Sequence, residues 1–287
     1  MTLALLVVLG QAAATLLLAW LYFRRYAVTR PPIGVVNLAD VAVMIGAIVL
    51  IPYLYLSLPL WLMVGLLALG LFSIAYNAWE PVLRRRWAVW SVAALLVGAD
   101  LVAAFSGGTA SAPFFAVNNL VLLVAIVGVA NLWAQSGMKA RDLVLLTAAL
   151  TVYDFIATSR LTMMGDMITR TSHIPFLPMV AWPVSASGAW LGIGLGDLSF
   201  AAVFPLVMRK AFGRTAGLIA MLVALGAIAG LLAVAQLGLL REVFPVMVVL
   251  GPLTVLQYAY WRRRGHERTT WQYLQAEPLP ERTYPEA

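Results

Sequence analysis

The chain contains no cysteine. Disulfides, thiolate nucleophiles and thiolate metal sites are therefore excluded. Histidine is scarce: His173 and His266 stand far apart in polar segments, so no His-based zinc site is expected. Charge is scarce too, at 11% of residues, where a soluble globular domain carries about 25%. No polar segment is long enough for a separate soluble domain, and no convincing internal repeat appears. What is abundant is apolar: 63% of the 287 residues are hydrophobic and the mean hydropathy is +0.92. The composition is that of a polytopic membrane protein. The net charge of +7 does not point to nucleic acid, because the basic residues cluster in short loops between apolar runs. Seventeen of the nineteen Lys and Arg are Arg, a bias of GC-rich genomes. The expectation is an integral protein of a prokaryotic plasma membrane.

Nine apolar runs are near the ~20 residues that cross the hydrocarbon. They cover about 3–22, 35–56, 59–79, 87–105, 113–133, 142–158, 188–208, 213–237 and 243–261. The first has no basic stretch before it and is read as retained, not as a signal peptide. The reading is all-α: one transmembrane domain over 1–261, with helices 1–5 as scaffold and helices 6–9 as the functional part. A polar tail, 262–287, follows and is expected to be flexible. The connection 159–187, with Pro175, Pro178 and Pro183, is the long one. Sixteen of the nineteen Lys and Arg fall on one side of this topology, leaving Arg160, Arg170 and Arg241 on the other. The positive-inside rule then predicts an extracytoplasmic N-terminus and a cytoplasmic C-terminus.

Four carboxylates fall inside these runs: Asp40, Asp100, Asp154 and Asp197. An ionised Asp facing lipid at mid-helix costs at least about 2.5 kcal/mol, so each needs a partner or water. Asp197 follows Gly192, Gly194 and Gly196. With Gly188, two of these recur every four residues, the spacing of a close helix-packing face. Asp154 lies 12 residues after Asp142, and Asp197 lies 12 before Arg209. At the helical rise both sit about 18 Å from the basic edge. Two carboxyls at matched depth on consecutive antiparallel helices can meet. Facing each other in low dielectric they share one proton and titrate as a pair. That state suits peptide hydrolysis, with one member taking a proton from water and the other protonating the scissile carbonyl. Asp100 is deep enough to compete but has no motif around it, and a hydrogen bond within the bundle is the plainer reading. Asp40 lies about 9 Å from the basic edge, within reach of water. Asn118 and Asn119 read as interhelical bonds.

Val152-Tyr153-Asp154 on the sixth helix and Gly194-Leu195-Gly196-Asp197 on the seventh resemble the presenilin and signal peptide peptidase family of intramembrane aspartyl proteases. That family has nine helices, a Tyr-Asp motif on the sixth and Gly-x-Gly-Asp on the seventh. The resemblance implies Asp154 and Asp197 as the catalytic pair, with Tyr153, Gly194, Leu195 and Gly196 next to substrate. The family's Pro-Ala-Leu element on helix 9 is not preserved. Pro245-Val246-Met247 is the better placed counterpart, and Gly251-Pro252-Leu253 is the alternative. By the same resemblance, Pro183-Val184-Ser185 would pair with an extended substrate strand. The implied orientation matches the signal peptide peptidase branch. Implied substrates are remnant signal peptides or transmembrane segments, within the lipid bilayer. No metal, organic cofactor or obligate protein subunit is implied. The other readings are a transporter or channel that binds cations or protons at paired Asp residues, and a prepilin peptidase-like protease, which also uses Gly-x-Gly-Asp.

Overall fold

The computed structural model describes residues 2–28, 36–83, 85–159, 163–184, 189–240 and 244–275. Eleven helices and one hairpin make up the described chain: α1 (Thr2–Arg25), α2 (Leu38–Ser57), α3 (Leu60–Trp79), α4 (Arg86–Gly107), α5 (Ala112–Gln135), α6 (Ala140–Ser159), α7 (Met163–Thr171), β1 (Met179–Pro183), β2 (Trp190–Gly194), α8 (Leu195–Phe212), α9 (Arg214–Gln236), α10 (Met247–Arg264) and α11 (Thr270–Gln275). Six of them, α1 to α5 and α9, are long and apolar enough to cross a membrane. This is an integral membrane protein, mostly helical. The helices α6, α8 and α10 are not in that group, and each carries charged residues within its run. Large apolar side chains such as Trp61, Leu69, Leu95 and Phe105 lie on the outer surface, as they do against lipid.

The core sits around α5. Although Leu120 faces outward, most of α5 is buried, as expected of a helix that is apolar on most sides. It packs against α1, α3, α4, α8 and β1. Its few polar residues tie neighbouring backbone. Asn131 Nδ2 donates to Ala19 O at 3.2 Å, and Gln135 accepts from Val28 N at 2.8 Å while donating to Tyr26 O at 3.0 Å. Ser111 caps the start of α5, accepting from Phe114 N, with Pro113 in the first turn where its missing N–H costs nothing. Asp40 proves to be part of a capping box: Asn37 accepts from the α2 amides and Asp40 Oδ2 accepts from Asn37 N at 2.8 Å. By contrast α2 makes its main contacts with α6 and α7. Arg170 of α7 closes its C-terminal end, donating to Leu56 O at 2.6 Å and Leu58 O at 2.5 Å.

Two sequence expectations change, those for the run 188–208 and for the tail. The run expected as a helix over 188–208 is strand up to Gly194, and helix only from Leu195. Gly192 and Gly194 favour helix poorly, and the ladder to β1 takes the backbone bonds. The four-residue glycine face is therefore not formed; Gly188 lies outside the described residues. The connection 159–187 holds α7 and β1. The tail is also ordered as far as Gln275; residues 276–287 lie outside the described residues.

That tail ties three helices together. Tyr273 is fully buried. Its hydroxyl accepts from Ala140 N at 2.8 Å and donates to Glu267 Oε1 at 2.9 Å. Burial, reinforced by the Glu267 charge, pushes this phenol well above its usual range, so it stays a donor. Glu267 also accepts from Arg141 N at 3.3 Å and from Tyr258 Oη at 3.0 Å. Arg268 Nη1 donates to Lys210 O at 2.8 Å. The amides of Ala140 and Arg141 at the start of α6, which have no intrahelical acceptor, are thus satisfied by the tail. Tyr273→Phe removes both hydroxyl bonds and is expected to cost about 1–3 kcal/mol. The check is the thermal midpoint in detergent; an unchanged midpoint would show that the tail does not hold the bundle.

Candidate active site

The hairpin is the local surprise. β1 and β2 pair antiparallel, with Val180 opposite Ile193 and Trp182 opposite Leu191. The ladder extends beyond both strands through Val184 N to Ala189 O at 2.8 Å and Leu195 N to Pro178 O at 2.9 Å. Bonded pairs alternate with unbonded ones in such a ladder. The N–H and C=O groups of Trp190, Gly192 and Gly194 therefore face away from β1. Those of Met179 and Ala181 face away from β2.

The outer edge of β1 is covered by side chains. Asn118 Nδ2 donates to Leu177 O at 3.1 Å and Met179 O at 3.2 Å. Asn119 Nδ2 donates to Ala181 O at 2.9 Å, and Asn119 Oδ1 accepts from Ala181 N at 3.1 Å. One turn earlier in the chain, Phe176 N donates to Asp100 Oδ2 at 2.8 Å, with Phe176 in a left-handed conformation (φ 62) and Asp100 fully buried. Asp100, Asn118 and Asn119 so replace the missing strand on one side of the hairpin. The outer edge of β2 has no such cover: among the described residues no hydrogen bond reaches the backbone of Trp190, Gly192 or Gly194 from that side. Unpaired backbone at membrane depth requires water or another chain.

Gly194 ends β2 and begins α8, so Asp197 falls in the first turn of that helix. Its carboxylate folds back toward the strand. A Cβ on Gly194 would lie 2.9 Å from Asp197 Oδ2, whereas one on Gly196 would meet nothing within 4 Å. Gly196 is exposed and its side of the helix is open. Asp154 lies on α6, which packs against α8, and the two carboxylates are within electrostatic range of each other. Both are half-buried. The Met247 backbone N–H lies near the Asp154 carboxylate, and Asp154 Oδ1 accepts from Thr158 Oγ1 at 3.5 Å. Among the described residues, Asp154 Oδ2 and the Tyr153 hydroxyl are buried without a hydrogen-bond partner. Tyr53 of α2 is within electrostatic range of Tyr153.

The start of α10 closes the other side. Met247 is buried, and its carbonyl accepts from Thr151 Oγ1 at 3.2 Å. Gly251 lies directly against the Thr151 hydroxyl, where any side chain would clash. Of the two candidates on this helix, Pro245-Val246-Met247 is the one whose backbone reaches Asp154. Gly251 serves the α6–α10 contact. Gly194 lies against Asp197, Asp197 is within electrostatic range of Asp154, and Tyr153 precedes Asp154 on α6. Of Pro183 and Val184, expected beside an extended substrate, the Pro183 carbonyl faces away from β2. Val184 N–H is already bonded to Ala189, and Pro183 has no N–H; Ser185 lies outside the described residues. The free edge belongs to the facing strand, Trp190–Gly194. Among the described residues no three His, Cys, Asp or Glu side chains gather where they could hold a metal ion.

The sequence reading missed Asp100, Asn118 and Asn119 as parts of this site. The signal was present as three polar residues in otherwise apolar runs, but their partners are backbone groups of a hairpin distant in sequence. Compared with models of known protein families and with curated proteins, the chain matches none.

The glycine geometry yields a paired expectation. Gly194→Ala displaces the Asp197 carboxylate, while Gly196→Ala finds space. If the pair is active, Gly194→Ala lowers its rate at least about tenfold, since a shift of about 1 Å at a reacting group costs that much or more. Gly196→Ala leaves the thermal midpoint unchanged. Equal rates for the two variants would show that the Asp197 pose does not matter.

Proposed function

We propose that this protein is an intramembrane aspartyl endopeptidase that cleaves transmembrane segments or remnant signal peptides, using Asp154 and Asp197 to activate water. The observation that carries this reading is the placement of an open β-edge, Trp190–Gly194, directly before Asp197, with Asp154 within electrostatic reach. A helical substrate hides its peptide groups in its own hydrogen bonds. Unwound, it exposes them, and β2 offers N–H and C=O groups of matching spacing. The extended substrate would then run past the carboxyl pair. One member takes a proton from water as that water attacks the scissile carbonyl carbon. The other donates a proton to the carbonyl oxygen, and proton return to the amine lets the C–N bond break. The roles belong to the pair.

In this reading nine helices span the membrane, α1 to α6 and α8 to α10. The N-terminus is extracytoplasmic, on the strength of the one-sided basic residues, and the membrane is the plasma membrane of a prokaryote. Asp154, Asp197 and the Met247 backbone are all in this chain, so no obligate subunit is needed. The test is purified protein in detergent with a synthetic transmembrane peptide, products read by mass spectrometry. Cleavage by the wild type and its loss in Asp154→Asn and Asp197→Asn are expected. Cation-coupled uptake into vesicles with no peptide product would overturn the proposal in favour of a transporter.

A further inference from the structure

The basic end of the bundle holds a cavity of about 250 Å³, away from the carboxyl pair. Three segments form its wall. Ala211 and Phe212 come from the end of α8, Trp261 and Arg264 from the last turn of α10, and Gly265, His266 and Arg268 from the tail. Among the described residues no carboxylate lines it. Glu267, between His266 and Arg268 in sequence, is engaged elsewhere by Tyr258, Tyr273 and the Arg141 amide. The two guanidiniums are held in position. Arg264 stacks over the Tyr260 ring at 4.4 Å, and Arg268 uses one donor on Lys210 O. Each guanidinium has five donors in all, so both have donors left for an acceptor-rich anion. Phe212 and Trp261 add an apolar floor. Aromatic residues beside a basic cluster at the end of a membrane helix are the composition of the headgroup level.

We propose that this cavity binds a phosphate group, carried by the headgroup of an anionic phospholipid. Oxygens of the phosphate match the Arg264 and Arg268 forks. The apolar floor and the interfacial position favour a lipid over free phosphate, because a lipid's glycerol and upper acyl carbons also bury apolar area there. A bound headgroup would bridge the ends of α8 and α10 through the same tail that caps α6.

The experiment is native mass spectrometry of the full-length protein with phosphatidylglycerol, phosphatidylcholine or inorganic phosphate as the added probe. Its readout does not depend on proteolysis, so it can fail while the protease reading stands, and the reverse. Phosphatidylglycerol is expected to be retained over phosphatidylcholine, and inorganic phosphate not to displace it. Arg264→Gln weakens retention about fivefold and the Arg264→Gln, Arg268→Gln pair about 25-fold, at about 1 kcal/mol per basic group. The pair Arg25→Gln, Arg263→Gln removes the same charge outside the cavity and keeps binding. Because Arg268 also holds the tail, the Arg264→Gln single variant tests the site with that bond left intact. Equal retention of the two lipids, or equal loss in the control pair, overturns the proposal. Binding of inorganic phosphate at Arg264 without lipid preference overturns the lipid assignment and assigns the cavity to a free anion.

Discussion

Asp154→Asn and Asp197→Asn each lower hydrolysis of a transmembrane peptide by at least about a thousandfold on the proposed mechanism, and the double variant is no slower than either single one. Asn has almost the shape of Asp but cannot take a proton from water or give one to the carbonyl oxygen. On that mechanism the two carboxyls act as a unit, so removing one removes the function of both. The wild-type rate should follow a bell-shaped pH profile that belongs to the pair. Fold loss is not the expected cause: Asn preserves an acceptor for Thr158 and near the Met247 N–H at position 154. Thermal midpoints of the single variants should stay at or above the wild-type value, since a charge is removed from a half-buried site. Retained cleavage in either single variant would end the two-carboxyl reading.

The second large effect is expected at Asn119. Asn119→Ala leaves the N–H and C=O of Ala181 without partners at membrane depth, because both of its amide atoms are used there. Each orphaned group costs about 1–3 kcal/mol. The thermal midpoint should fall by several degrees. More telling is the product pattern. β1 fixes β2, and β2 would set which substrate bond meets the carboxyl pair. Loosening β1 should spread cleavage over neighbouring bonds and slow it about tenfold or more. Asn119→Asp keeps the acceptor for Ala181 N and should fall between. Asn131→Ala is the control: it removes bonds to Ala19 O and Val127 O on the same helix, lowering stability without scattering the products. A single unchanged cleavage site in Asn119→Ala would show that the hairpin does not position substrate.

Much of the site was legible before any coordinates. Asp154 and Asp197 stand out because carboxylates are rare in apolar runs, and their depths follow from counting residues to Asp142 and Arg209. That count survives the correction to helix 7, since the α8 stretch from Asp197 to Arg209 is helical throughout. Met247 was also reachable, as the end of the Pro245-Val246-Met247 stretch read at the start of the ninth run. The hairpin was not. Trp190–Gly194 is apolar and glycine-rich, and within a long hydrophobic stretch that pattern reads equally as a helix with a packing face. Periodicity cannot separate the two, because both faces of the strand are apolar.

The tail was misread for a related reason. Its composition is polar, with Arg, His, Glu and Thr, and polar ends are usually solvated. The partners that order it are the Ala140 and Arg141 amides and the Lys210 carbonyl. None of these backbone groups is visible as a sequence signal.

The sequence by itself determined the solvent and which buried carboxylates need partners. Apolar runs of bilayer length demand helices across lipid, and isolated carboxylates in them demand partners. Only the tertiary structure decided which backbone is left open. Hydrogen-bond satisfaction of an edge depends on what packs beside it: Asn118 and Asn119 of α5 close β1, whereas α1 packs against β2 and no hydrogen bond among the described residues reaches its outer edge. Side-chain amides and a strand edge meet there across about sixty residues of chain, and local propensity carries no record of such a meeting.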